Sequence, residues 1–254
     1  PPRAAAVPAF QTRLPTAPRG KTDAIEIQIH RLPLRPPKKE AAGCWISAGA
    51  LQATSPGAAK RLWWWLPPVV WPDSEKLLGQ QVAELLGWGA GHFVLNAPWQ
   101  TVFFPQGPRL KLWAGPFCNI ANPLALQTLA GAGFSGAVVS PELSGREFLG
   151  LPPLSPLPLG IVLAGHWPLC ISRVADSGLA LERPFESPKG EQAWVKCHEG
   201  QYWVFPGWRL DLTAKKDALC RAGFRLLIHL NEPVPRPVIL KQRPGVWNWD
   251  LGLQ

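Results

Sequence analysis

The chain has 254 residues, 46% of them hydrophobic, and a formal net charge of +9, which is enough apolar material for one sizeable core or two modest ones. No stretch reaches the roughly 20 uninterrupted apolar residues of a membrane helix, and the N-terminus has no apolar signal core, so neither a membrane span nor export is expected. Five cysteines (Cys44, Cys118, Cys170, Cys197, Cys220) are scattered without a Cys-x-x-Cys pair, which fits reduced thiols in a cytoplasmic protein better than a disulfide framework or a zinc site.

Residues 1–40 hold eight Lys/Arg against Asp23, Glu26 and Glu40, so over half of the positive excess lies there. Residues 1–22 read as a proline-rich basic linker, an arm able to touch RNA or another acidic surface. AIEIQIHRL then alternates apolar and polar at period two, the pattern of a half-buried strand. LWWWLPPVV is a strand of the buried type, stopped by its proline pair. PDSEKLLGQQVAELLGWG predicts a helix capped by Asp73 or Ser74, with Leu77, Leu78, Val82, Leu85 and Leu86 on one face and Gly87 and Gly89 at its end.

HFVLNAP and RLKLWAG are two further strands. NPLALQTLAGAG is a helix with Asn122 at its cap and Pro123 in its first position. GAVVS is a strand, LSGREFLG a short helix and LGIVLAG another strand. This strand–helix alternation with continuous apolar strands means parallel pairing. The span 61–166 supplies about four strands and three helices, half of a (β/α) barrel or a small open sheet, to which the N-terminal strands add two. After Arg173 the repeat stops: AWVKCHEGQYWVFPGWRLDL reads as short β pieces, TAKKDALCRAGF as a helix and LLIHLN as one more strand. The expected division is a linker over 1–22, an α/β barrel-like domain over 23–175, and a small β-rich C-terminal appendage over 176–254.

In parallel α/β folds ligands meet the C-terminal ends of the strands. Those ends carry Asn96, Asn119 with Asn122, Glu142 and His166, with Ser172 and Arg173 just beyond. Glu142 and His166 are the expected catalytic pair, compatible with acid–base work or hydrolysis by an activated water. Asn96, Asn119, Asn122, Ser172 and Arg173 are the expected substrate-binding residues, and no metal ligands are expected. Each also has a plainer reading. Asn122 caps a helix, Glu142 favours a helix N-terminus, His166 packs beside Trp167, and Arg173 pairs with an acid such as Asp176. No phosphate loop, dinucleotide fingerprint, nucleophile elbow or H-E-x-x-H is present. The 14 tryptophans fill core and rim, or stack nucleic-acid bases.

LKLWAGPFCNIANPLALQTLAGAGFSGAVVSPELS resembles the central segment of peptidase family U-32, the collagenase-like proteases. The shared features are Asn119 and Asn122 in a turn, Gly133-Phe134 ending a helix, and Val139-Ser140-Pro141-Glu142-Leu143-Ser144 at a strand end. LPLGIVLAGHWPLCISR is similar to that family's continuation through Gly165, Pro168-Leu169 and Ser172-Arg173. The likeness spans roughly residues 61–230 and is specific across 110–173. It implies a TIM-barrel-like fold, complete or partial, and a protease acting on a peptide or protein substrate; no cofactor is expected.

The same resemblance carries an alternative. Some relatives hold an iron–sulfur cluster on four cysteines and support oxygen-independent hydroxylation of RNA bases or quinone precursors. Here VADSGLALERPFES follows Arg173 and no cysteine appears before Cys197, so the cluster pattern is incomplete. Because the chain begins at Pro1 and contains no methionine, a third reading is a non-catalytic C-terminal module of a longer protein that contributes only half a barrel.

Overall fold

The structure is a computed structural model that describes residues 23–33, 41–105, 107, 109–176, 178–187, 190–241 and 246–250. The linker expected over 1–22 lies outside them. In chain order the strands are β1 (Ile25–His30), β2 (Ala41–Trp45), β3 (Trp63–Trp65), β4 (His92–Leu95), β5 (Lys111–Ala114), β6 (Gly136–Val138) and β7 (Leu159–Gly165), then β8 (Cys170–Ser172), β9 (Pro184–Glu186), β10 (Gln192–His198), β11 (Gln201–Pro206), β12 (Leu210–Asp211) and β13 (Phe224–Leu230). The helices are α1 (Ala48–Gln52), α2 (Pro56–Ala59), α3 (Pro72–Gly87), α4 (Pro123–Gly131), α5 (Gly145–Gly150) and α6 (Lys216–Ala222).

Local chemistry accounts for most element ends. Asn122 Oδ1 accepts the Ala125 N–H at 2.9 Å, with Pro123 in the first helical position of α4. At α5, Ser144 and Glu147 exchange a capping pair, Glu147 Oε2 accepting the Ser144 N–H at 2.8 Å. The cap of α3 is Trp71 rather than Asp73 or Ser74. Pro72 fixes its first turn, and Asp73 and Glu75 sit where the helix dipole favours negative charge. Leu78, Val82 and Leu85 face the core as the 3.6-residue period requires, whereas Leu77 stays half exposed.

Eight parallel strands close a ring in the order β1-β2-β3-β4-β5-β6-β7-β13, with β13 returning to β1. This is a TIM-barrel-like α/β fold, and one chain closes it alone, so the half-barrel expectation is corrected. The expected boundary at 175/176 also fails. The β-rich part is an antiparallel four-stranded sheet, β8-β11-β10-β9, inserted between the seventh and eighth barrel strands. LLIHLN, read as part of an appendage, is β13, fully paired on both sides within the barrel. Its partner strand β7 is buried at every position, as a strand covered on both faces must be.

The inserted hairpin β10–β11 turns through Glu199-Gly200, both at positive φ (49° and 73°), as a two-residue hairpin turn demands. Its register pairs Trp194 with Phe205, Lys196 with Trp203 and His198 with Gln201. Because strand side chains alternate, those six residues share one face, and that face covers the C-terminal mouth of the barrel. The last described segment folds back on the β6–α5 junction, where Trp247 Nε1 donates to the Pro141 carbonyl and Gly145 N–H to the Trp249 carbonyl.

Candidate active site at the barrel mouth

A cavity of about 830 Å³ opens between the ends of β1–β3 and β13, helices α1 and α3, and the inserted sheet. Its polar floor is built by strand ends. Arg31 follows β1, Glu232 follows β13, and Lys196 and His198 come down from β10. Arg31 Nε donates to Glu232 Oε2 at 2.7 Å, and His198 Nε2 lies 2.9 Å from Glu232 Oε1. Lys196 Nζ stands 3.8 Å from the same carboxylate. The guanidinium of Arg31 lies against two tryptophan rings, 4.8 Å from the Trp45 centroid and 4.2 Å from the Trp203 centroid, a cation–π arrangement that suits the planar Arg head.

Only 4% of the Glu232 side chain is exposed. Burial alone raises its carboxyl pKa, but the His198 hydrogen bond and the Arg31 charge outweigh that, and the carboxyl is held below its ordinary value. Burial lowers the Arg31 pKa and Glu232 partly restores it. An ionised Glu232 accepts only, so His198 Nε2 carries the proton toward it and Nδ1 is left as the basic nitrogen. The terminal nitrogens of Arg31 have no hydrogen-bond partner among the described residues, and the residue lines the cavity.

None of the seven residues expected from the sequence lines this cavity. Glu142 is exposed, with its backbone held by Ser140 and Asn248. Asn96 is buried, its side chain donating to the Leu66 carbonyl at 2.7 Å and so tying β4 to the end of β3. Asn119 is an exposed left-handed residue (φ 52°) after a short turn, and Asn122 is the α4 cap already described. Ser172 Oγ donates to the Val174 carbonyl at 2.6 Å, closing a local turn. Arg173 pairs with Asp73 on α3 at 3.0 Å, not with Asp176, and lies over the Trp71 ring.

His166 alone comes near the polar floor. It borders a second, small cavity of about 10 Å³, whose wall of Arg31, Trp45, Trp203, Asn231 and Glu232 is shared with the large one. That is about the space of one water molecule. His166 is 7% exposed, and neither ring nitrogen has a hydrogen-bond partner among the described residues. Burial, helped by Arg209 and opposed by Glu232, lowers its pKa to about 4. The structure records no contact between His166 and Glu142 that would make them a pair.

A histidine depressed in the fold protonates first in the unfolded chain. Stability is therefore full above the ordinary histidine value near 6.5 and falls as pH drops toward about 4. The cost is on the order of 3 kcal/mol at 1.36 kcal/mol per unit. His30 and His92, also lowered by burial, act in the same direction. His166→Leu is expected to remove most of this acid slope, read as urea midpoints from pH 7 to pH 4.5; an unchanged slope would assign it elsewhere.

The missed residues did carry a signal. Asn231-Glu232 at the tip of β13 and His30-Arg31 at the tip of β1 follow the same strand-end rule that selected Glu142 and His166. Alternation in AWVKCHEGQYWVF marked the hairpin, but nothing local says that one of its faces covers a barrel.

The fold has a known counterpart. A solved structure of the U32 peptidase Mk0906 superposes with a TM-score of 0.53 over 87% of this chain and 98% of that one, at 9% sequence identity. The likeness is one of fold. No protein-family model matches the chain, and no curated protein is similar to it at a significant level. The five cysteines are spread through the fold. Cys170 and Cys197 are exposed on β8 and β10 with β11 between them, Cys44 is buried at the end of β2, and Cys220 lies in α6. Burial pushes the thiols of Cys44 and Cys118 up to about 12 and about 11, away from thiolate chemistry. No group of three or more His, Cys, Asp or Glu among the described residues is arranged to hold a metal. No described helix is long and apolar enough to cross a membrane.

Proposed function

We propose that this chain is a cytoplasmic U32-like peptidase whose site is the cavity at the barrel mouth. The observation that carries the reading is the His198–Glu232 hydrogen bond of 2.9 Å beside Arg31, on a barrel that shares its fold with a U32 peptidase. His198 takes a proton from water through Nδ1 as that water attacks the peptide carbonyl. Glu232 holds the ring and stabilises the imidazolium, as a carboxylate does for a catalytic histidine. Arg31 and Lys196 supply positive charge for the carbonyl oxygen as it becomes negative. The imidazolium then returns its proton to the departing amine, so a C–O bond replaces the C–N bond and water is consumed.

A fluorogenic peptide mixture and gelatin are suitable substrates. His198→Gln is expected to lower kcat/KM by about 10²-fold or more, the usual contribution of a general base. Glu142→Gln should retain the wild-type rate, because Glu142 is exposed and outside the cavity. No turnover by the wild-type chain, or equal turnover by His198→Gln, overturns the reading.

A further inference from the structure

By chemistry the cavity lining divides into two, the charged floor around Glu232 and an aliphatic half of Leu32, Ile46, Val69, Val70, Leu77 and Leu78. Leu32 and Leu77 in that lining are 54% and 50% exposed, apolar surface left open at the cavity. On α3, Ser74, Leu77, Leu78 and Gln81 follow helical spacing, so one helix face looks into the cavity. Gln81 is the odd member. It is 9% exposed and lines the cavity, and its amide makes no hydrogen bond to any described residue. The amide is therefore open to the cavity and free to pair with a ligand that enters it.

We propose that this half is a subsite for a bulky aliphatic side chain of a peptide, with the Gln81 amide reading the backbone amide beside it. The ligand class rests on the peptidase reading; the specificity rests on the wall. An amide side chain offers two N–H donors and a carbonyl acceptor, which can serve both groups of a backbone amide. The aliphatic wall favours Leu, Ile or Val over small or charged side chains. A nucleobase fits poorly, because base binding uses exposed aromatic faces. Trp45 and Trp203 are 7% and 2% exposed and already face the Arg31 guanidinium, and among the 14 tryptophans only Trp99 is exposed.

The test reads binding, not turnover. Acetyl-leucinamide, acetyl-glycinamide and uridine are titrated by NMR into the His198→Gln protein, alone and with Gln81→Leu or Leu77→Asp added. Acetyl-leucinamide should bind about tenfold tighter than acetyl-glycinamide, the worth of one buried aliphatic side chain. Gln81→Leu should weaken it severalfold and Leu77→Asp about tenfold, with unchanged melting temperatures. Equal binding of the two amides, no effect of either substitution, or tighter binding of uridine at the same residues overturns the subsite. Leucine-selective binding in a protein that cleaves no peptide would remove the hydrolase reading and leave the subsite standing. Cleavage without leucine preference would do the reverse.

Discussion

Replacing Glu232 by alanine is expected to destabilise the protein by about 3–5 kcal/mol, the cost of leaving a buried charge without its partner. The side chain is 4% exposed and meets Arg31 at 2.7 Å, His198 at 2.9 Å and Lys196 at 3.8 Å. Its loss strands Arg31, itself largely buried against two tryptophans. In a chain of this size that is a fall in melting temperature of roughly 10 °C. The deficit should be complete at neutral pH. It should shrink in acid, because a carboxyl held below its ordinary value stabilises the fold above that value and loses the contribution as pH falls through its lowered pKa. The double variant Glu232→Ala with Arg31→Met should recover part of the loss, since the two residues are directly coupled. A Glu232→Ala protein that melts with the wild type would show that the ion pair is not what holds the β1 and β13 ends together.

Gly165→Ala is expected to cost more than about 4 kcal/mol, the range reserved for backbone clashes and lost cores. Gly165 ends β7 at φ +131°, and a Cβ built there lies 2.2 Å from the Leu230 carbonyl oxygen and 2.7 Å from its nitrogen. Both atoms are backbone of β13, which pairs with Gly165 in register, so no side chain can swing away to make room. The substitution strikes the seam where the barrel closes and the residue before His166. Gly150→Ala is the control: a Cβ there meets nothing within 4 Å, and its stability should change by less than about 1 kcal/mol. Soluble yield and circular-dichroism melts of the two variants decide between them; wild-type stability for Gly165→Ala would refute the seam argument.

Much of the fold was legible because its signals are local. Asn122-Pro123 capped a helix where capping chemistry puts one, the alternating IEIQIH became β1, and LGIVLAG became a strand buried throughout. The two-faced burial of the central strands announced a parallel sheet before any pairing was known. The α3 cap was misassigned because Asp73 and Ser74 are favoured cap residues, while Pro72 in the first helical position moved the boundary to Trp71.

The site was less legible. The strand-end rule is sound for barrels, yet Glu142 and His166 end strands that are neighbours in the chain, whereas the cavity forms where strands distant in the chain meet. Glu142 remains outside the cavity, and His166 borders only the small chamber behind Arg31 and Glu232. The residues that meet, Arg31, His198 and Glu232, are separated by 201 and 34 positions, and no sequence period connects them. Their approach depends on the 58 residues between Gly165 of β7 and Phe224 of β13, which hide the eighth strand and lower a hairpin onto the mouth.

By itself, then, the sequence determined the things that short-range forces settle: which segments are strands or helices, where most of them stop, and that the strands run parallel. Only the tertiary structure decided that the ring closes, that β13 completes it beside β1, and that a buried carboxylate gathers an arginine from one strand end and a histidine from another. Side-chain periodicity reports which face is covered within an element. It carries no information about which distant element does the covering, because that choice is made by the closure of the whole sheet.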